Sequence, residues 1–207
     1  VLPDRPGFAD GTYSYDISPY VIGWIMGLEW DPFFVTETNE QNEGITEYQG
    51  DYLLAEDAPA FEVFLAETGD YTLSYEMEKY GVQRPLSFTN WVTTDPLDHP
   101  NEPLEKEDLV AVDTKKVHVK DTFHAGLFAS YHIYPYYPDS MNYQHDYVAY
   151  TDENGVTNTY KAYLEDLIKE HTVPVLVAEF GIPASRGKAH DDIHRGFNQG
   201  NVTEQMQ

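Results

Sequence analysis

Cysteine is absent from the 207 residues, basic side chains are scarce, and no apolar stretch is long enough to cross a bilayer. Each absence closes a class of function. Without cysteine there is no disulfide scaffold, no thiolate zinc site and no Cys nucleophile, although the compartment stays open, with an extracellular or cell-surface setting slightly favoured. Lys and Arg number 12 against 36 Asp and Glu, a formal charge of −24. A field of that sign repels phosphate, so nucleic acid and anionic membrane surfaces are poor partners. No run of about 18 apolar residues occurs, so no membrane-spanning helix is expected. A Gly-rich phosphate loop and a Gly-x-Ser-x-Gly elbow are also missing. No cofactor is expected.

What is present reads as a globular domain. Hydrophobic residues make up 41% and charged residues 23%, enough apolar material for a core and too little charge for disorder. Residues 1–207 are expected to form a single segment without repeats or low-complexity linkers. The chain starts at Val1, and a helix that begins near Asn201 or Thr203 has no end signal before Gln207. This predicts a fragment of a longer protein.

Four apolar runs punctuate the chain: Tyr20 to Gly27, Pro85 to Thr89, Leu127 to Tyr131, and Val173 to Ala178. Their length and continuous hydrophobicity predict parallel strands buried under helices. Helices are expected from Ala60 to Tyr80 and from Tyr160 to Glu170. In the second, Tyr160, Tyr163, Leu164, Leu167 and Ile168 form one stripe at i, i+3, i+4, i+7 and i+8. Strands alternating with helices argue an α/β fold. Long polar connections, Asp95 to Asp121 and Pro135 to Thr159, follow the second and third strands, where α/β barrels carry function.

Every run delivers a distinctive polar group at its C-terminal edge. The first leads to Gly27-Leu28-Glu29-Trp30, the second to Asn90-Trp91, the third to His132-Ile133-Tyr134, and the fourth to Glu179-Phe180-Gly181. A carboxylate directly after a buried strand is costly unless it is paired. Two of them on one sheet suggest the acid/base pair of glycoside hydrolysis.

The order of these motifs resembles the retaining glycoside hydrolases with a (β/α)8 barrel, in the clan that includes families 2 and 5. Val21 to Trp30 is similar to the acid/base strand 4 of that clan, and Pro174 to Gly181 to its nucleophile strand 7. The resemblance implies strands 4 to 7 of a TIM-barrel-like fold, with Glu29 as acid/base and Glu179 as nucleophile. It further implies Tyr134 as a hydrogen-bond donor to Glu179. Trp30, Trp91, His132, Tyr136 and Tyr137 would form a stacking wall for a carbohydrate substrate. The chain departs from the family at Leu28, where the clan places the Asn that holds the sugar 2-hydroxyl. Asn90 is the expected substitute. The alternative reading is a barrel of the same ancestry that binds glycan without cleaving it. Strands 1 to 3 and 8 have no counterpart in the 207 residues.

Two weaker signals point to metals. His190 and His194 stand at i and i+4, a zinc-ligand spacing that lacks a third ligand. The acidic stretch Glu102 to Asp108 lacks the central Gly and alternating oxygens of a calcium loop and is expected to be solvated. No metal is assigned from the sequence.

Overall fold

The computed structural model describes residues 14–181. After a short 3-10 turn at Ser18–Tyr20, the elements run β1 (Trp24–Met26), α1 (Pro32–Gln41), β2 (Tyr48–Gln49), β3 (Leu53–Ala55), α2 (Ala60–Tyr80) and β4 (Leu86–Trp91). There follow β5 (Val117–Val119), β6 (Ala129–His132), α3 (Ser140–Tyr143), α4 (His145–Ala149), α5 (Thr159–Glu170) and β7 (Val175–Glu179). The expected pair His190 and His194 and the segment after Asn201 lie outside the described residues. No helix among the described residues is long and apolar enough to cross a membrane.

The architecture is mixed α/β. Four parallel strands form one sheet in the order β1-β4-β6-β7, which is also their order along the chain. Helix α2 lies between β1 and β4 in the sequence and α5 between β6 and β7, so each serves a parallel crossover. A separate antiparallel sheet, β2-β3-β5, packs on α2. The first strand is shorter than the apolar run from Tyr20 to Gly27 implies: only Trp24–Met26 pairs.

Local chemistry fixes the element ends. Asp31 caps α1 by accepting from the Phe33 and Phe34 amides at 2.9 and 3.3 Å, with Pro32 in the first turn. Gly81, at φ 63°, closes α2 in the left-handed conformation, and its amide donates to the Met77 carbonyl. Asn158 caps α5 by accepting from the Lys161 amide at 3.0 Å.

Alternation along the strands separates two faces. On one, Leu86 and Phe88 join Phe61, Leu65 and Leu73 of α2 in a buried core, with Trp24 and Met26 packed against it. Ala129, Tyr131, Val175 and Val177 continue that face into a second core with Tyr163 and Leu167 of α5. The other face carries Ser87, Thr89 and Ser130 in its centre, with Ile25 and Leu176 in register on the outer strands. Those two outer residues are 48% and 43% exposed.

The long connection after β4 is held by buried polar groups rather than by periodic structure. Asp95 accepts from the Tyr163 hydroxyl at 2.6 Å and faces His99 Nε2 at 3.2 Å, which ties this loop to α5. The acidic stretch is solvated in part: residues 103–106 and 108 are exposed, but three of its carboxylates are engaged. Glu107 is buried, Glu102 accepts from the Ser140 amide at 2.7 Å, and Asp108 accepts from the His99 amide at 3.0 Å.

Candidate active site

The C-terminal ends of the parallel strands come together because register aligns them. Trp91 pairs with His132, and His132 with Glu179 across a shift at Tyr131/His132 that re-aims the strand end. Glu29 reaches the same edge from the turn that follows β1. That turn needs Gly27, which has φ 76°, and a Cβ there would lie 2.8 Å from the Trp30 ring. The turn folds Trp30 back against the core, where its ring meets Phe61 edge-on at 5.3 Å. Leu28 and Glu29 are left facing the cavity.

The cavity has a volume of about 550 Å³, and Leu28, Glu29, Trp91, His132, Tyr134, Tyr136, Tyr137 and Glu179 are among the residues that line it. Its chemical centre is a three-residue cluster. His132 Nδ1 lies 2.9 Å from Glu29 Oε1 and 2.6 Å from Glu179 Oε2. One oxygen from each carboxylate and the ring nitrogen all fall within 4.8 Å of one another. Tyr134 lines the cavity beside Glu179; burial first, and then this negatively charged neighbour, push its phenol up to about 12. Tyr134 therefore stays protonated and able to donate at any ordinary pH.

The aromatic wall comes from the loop after β6 and from the end of β4. Tyr134 and Tyr136 pack with centroids 5.5 Å apart and rings tilted by 46°, and Trp91 lies 6.3 Å from Tyr137. Trp91 is oriented by donating its indole N–H to the Trp30 carbonyl at 3.1 Å. Tyr137 precedes a cis peptide bond to Pro138. Its hydroxyl donates at 2.6 Å to the buried Glu107, which also accepts from Thr93 Oγ1 at 2.9 Å. A smaller cavity of about 190 Å³ adjoins, sharing Glu29, Trp91 and Tyr137 and reaching Lys106 and Glu107.

The structure therefore gathers Glu29, Trp91, His132, Tyr134, Tyr136 and Glu179 around one space and leaves out two residues expected there. Trp30 contributes its backbone carbonyl and a core-facing ring instead of a sugar platform. Asn90 is fully buried on the helix-facing side of β4. Its amide nitrogen donates to the Thr94 and Val112 carbonyls, both at 3.0 Å. Its oxygen accepts from Thr94 Oγ1 and the Trp91 amide at 2.6 and 2.8 Å. With donors and acceptor engaged inside the protein, Asn90 has no group left for a ligand.

Nothing in the sequence singles out Glu107. A buried carboxylate beneath the wall looks, in sequence, like any other member of an acidic run. No family model, no curated protein and no solved structure matches the chain.

Proposed function

We propose that this chain carries the catalytic end of a (β/α)8-type glycoside hydrolase and cleaves a carbohydrate by a retaining, two-carboxylate mechanism. The observation that carries the reading is the convergence of Glu29 and Glu179 across one cavity. One oxygen of each lies within 4.8 Å of the other, a convergence that suits the ~5–5.5 Å carboxyl separation of retention better than the ~6.5–9.5 Å of inversion. The sheet supports the barrel part of the reading. Its four strands are parallel and sequential, and the face opposite the helices has small polar residues flanked by exposed aliphatic ones. A barrel interior opened along two strands presents such a face.

In this mechanism ionised Glu179 attacks the anomeric carbon while Glu29 protonates the departing oxygen. Glu29 then takes a proton from water as that water cleaves the glycosyl-enzyme ester. Tyr134 orients the attacking carboxylate by donating to it. Trp91, Tyr136 and Tyr137 supply ring faces for the sugar.

A second reading has a specific observation behind it. The position before the acid/base carries Leu28, 64% exposed and lining the cavity, and Asn90 cannot take its place. Among the described residues no Asn or Gln amide lines the cavity, so the hydrogen bond to the sugar 2-hydroxyl, worth several kcal/mol in the transition state, lacks its usual donor there. That favours a barrel of the same ancestry which binds glycan without cleaving it.

Turnover of a panel of activated aryl glycosides separates the two. The hydrolase reading expects Glu179→Ala to abolish turnover. It expects Glu29→Ala to slow deglycosylation about 10²–10⁴-fold, with azide restoring the rate as a substitute nucleophile. Absence of wild-type turnover, together with sugar binding that survives both substitutions, establishes the binder instead.

A further inference from the structure

We infer that the cluster of Glu29, His132 and Glu179 is also a binding site for a single divalent transition cation of the zinc type, and that this cation competes with the sugar. The competition rests on the glycosidase reading; the metal site itself does not.

Three facts point to a ligand set rather than to an accidental crowd of charge. The donors are mixed, one imidazole nitrogen and two carboxylate oxygens, a combination that suits zinc better than magnesium or calcium. They come from three separate strand ends, β1's following turn, β6 and β7, and their atoms already lie within 4.8 Å of one another. Zinc bound at ~2.0–2.2 Å from each donor needs them only slightly farther from His132 Nδ1 than the present 2.9 and 2.6 Å. Tyr134 lines the cavity beside Glu179, placed for the kind of outer contact that orients metal ligands.

For His132 to serve, its Nδ1 must offer a lone pair and the ring proton must sit on Nε2. The cation then sits between the ring nitrogen and the two carboxylates. Three protein ligands leave one position open toward the 550 Å³ cavity, where water completes the shell. Both carboxylates are tied up in that state, so neither can act on a glycoside. A sugar seated with its anomeric carbon between Glu29 and Glu179 occupies the same space.

The test is zinc titration of the chelator-stripped chain against a chromogenic competitor, with excess magnesium to saturate the many surface carboxylates. One tight site is expected in the wild type. His132→Asn and Glu179→Gln should each weaken it about 100-fold or more, and Tyr134→Phe about tenfold. The double variant His190→Asn/His194→Asn should leave the site intact, and near-UV circular dichroism checks that every variant is folded. Unchanged affinity in His132→Asn, or loss of the site only in the His190/His194 variant, overturns the proposal.

Turnover of an aryl glycoside then decides the competition. If the stripped chain is active, zinc should raise KM with kcat unchanged; tight zinc without inhibition overturns the shared site. If the stripped chain is inactive but the tight site is present and depends on His132, the metal site stands and the two-carboxylate hydrolase reading fails. Activity that appears only with zinc overturns both the inhibitory role and that mechanism.

Discussion

At Glu62 a carboxylate lies buried in the first turn of α2, with one oxygen accepting from the Asp113 amide at 2.9 Å and the other unpartnered. Burial pushes this group up from 4.5 to about 7, against the opposing pull of the Asp113 amide. The folded chain therefore holds a proton that the unfolded chain gives up between about pH 4.5 and pH 7, and stability falls as pH rises through that window. A shift of this size corresponds to about 3 kcal/mol at most. Glu62→Gln keeps the acceptor and cannot ionise, so its stability relative to wild type should be near zero at pH 4.5 and increase toward pH 7 and above. Urea unfolding across that range measures the difference; a gap that does not change with pH rejects it. The cavity-lining candidates are easier to read in the sequence than Glu62. Glu29, His132, Tyr134 and Glu179 each follow an apolar run, and a parallel sheet brings the C-terminal ends of its strands to one edge. Trp30 and Asn90 were misplaced because direction is not in the spacing. Trp30 turns on the backbone of Gly27, and Asn90 shares the parity of Leu86 and Phe88, which faces the helices.

Among the elements, α2 is hydrogen-bonded to the small sheet through Asp70. Asp70 accepts from the amides of Tyr52 and Leu53 at 2.7 and 2.8 Å, and from the Asp51 amide and the Tyr48 hydroxyl at 3.2 Å. It serves as the acceptor for the β2–β3 turn, and it packs so close that a Cβ on Gly50 would lie 2.2–2.5 Å from its carboxylate. Asp70→Ala leaves those amides short of partners and should cost about 3 kcal/mol, whereas Tyr48→Phe, which removes one long bond, should cost about 1 kcal/mol or less. Chemical unfolding of both variants tests the ranking, and equal losses would falsify the view that the backbone contacts dominate. This corner of the fold was not legible in the sequence. Strands of two or three residues such as β2, β3 and β5 are too short for an alternation to register, and α1 has Asn, Glu and Thr where an apolar stripe would announce it. By contrast α5 shows a complete stripe, and α2 was placed from Ala60 to Tyr80 even though its apolar pattern fades past Gly69. The reason that Gly69 does not break α2 is contact: a Cβ there would meet Leu53 and Phe88 at 2.8 and 2.9 Å, so the glycine permits the close approach of helix to sheet.

Across the whole molecule the dominant electrostatic fact is imbalance. Even if all 12 cations paired, 24 of the 36 carboxylates would lack a basic partner. Several observed pairs lie at the surface, among them Lys161 with Glu153 and Lys169 with Asp166; such pairs are worth about 0–1 kcal/mol each and weaken in salt. The buried Arg84–Glu76 pair, which also holds the Val21 carbonyl through Arg84 Nε at 2.7 Å, is screened far less. Salt therefore removes little attraction and much repulsion. Raising sodium chloride from about 0.01 M to about 1 M shortens the screening length from ~30 Å to ~3 Å, which relieves the self-repulsion of the compact state. Since 1 kcal/mol is about 2–4 °C for a chain of this size, a gain of a few kcal/mol predicts a rise in Tm of at least about 4 °C. Chloride is the informative anion, because sulfate strengthens apolar burial in any protein. Thermal unfolding followed by circular dichroism at pH 7 gives the answer directly. A Tm that stays flat or falls across the series means that specific attractive pairs, not net charge, govern the electrostatics of this fold.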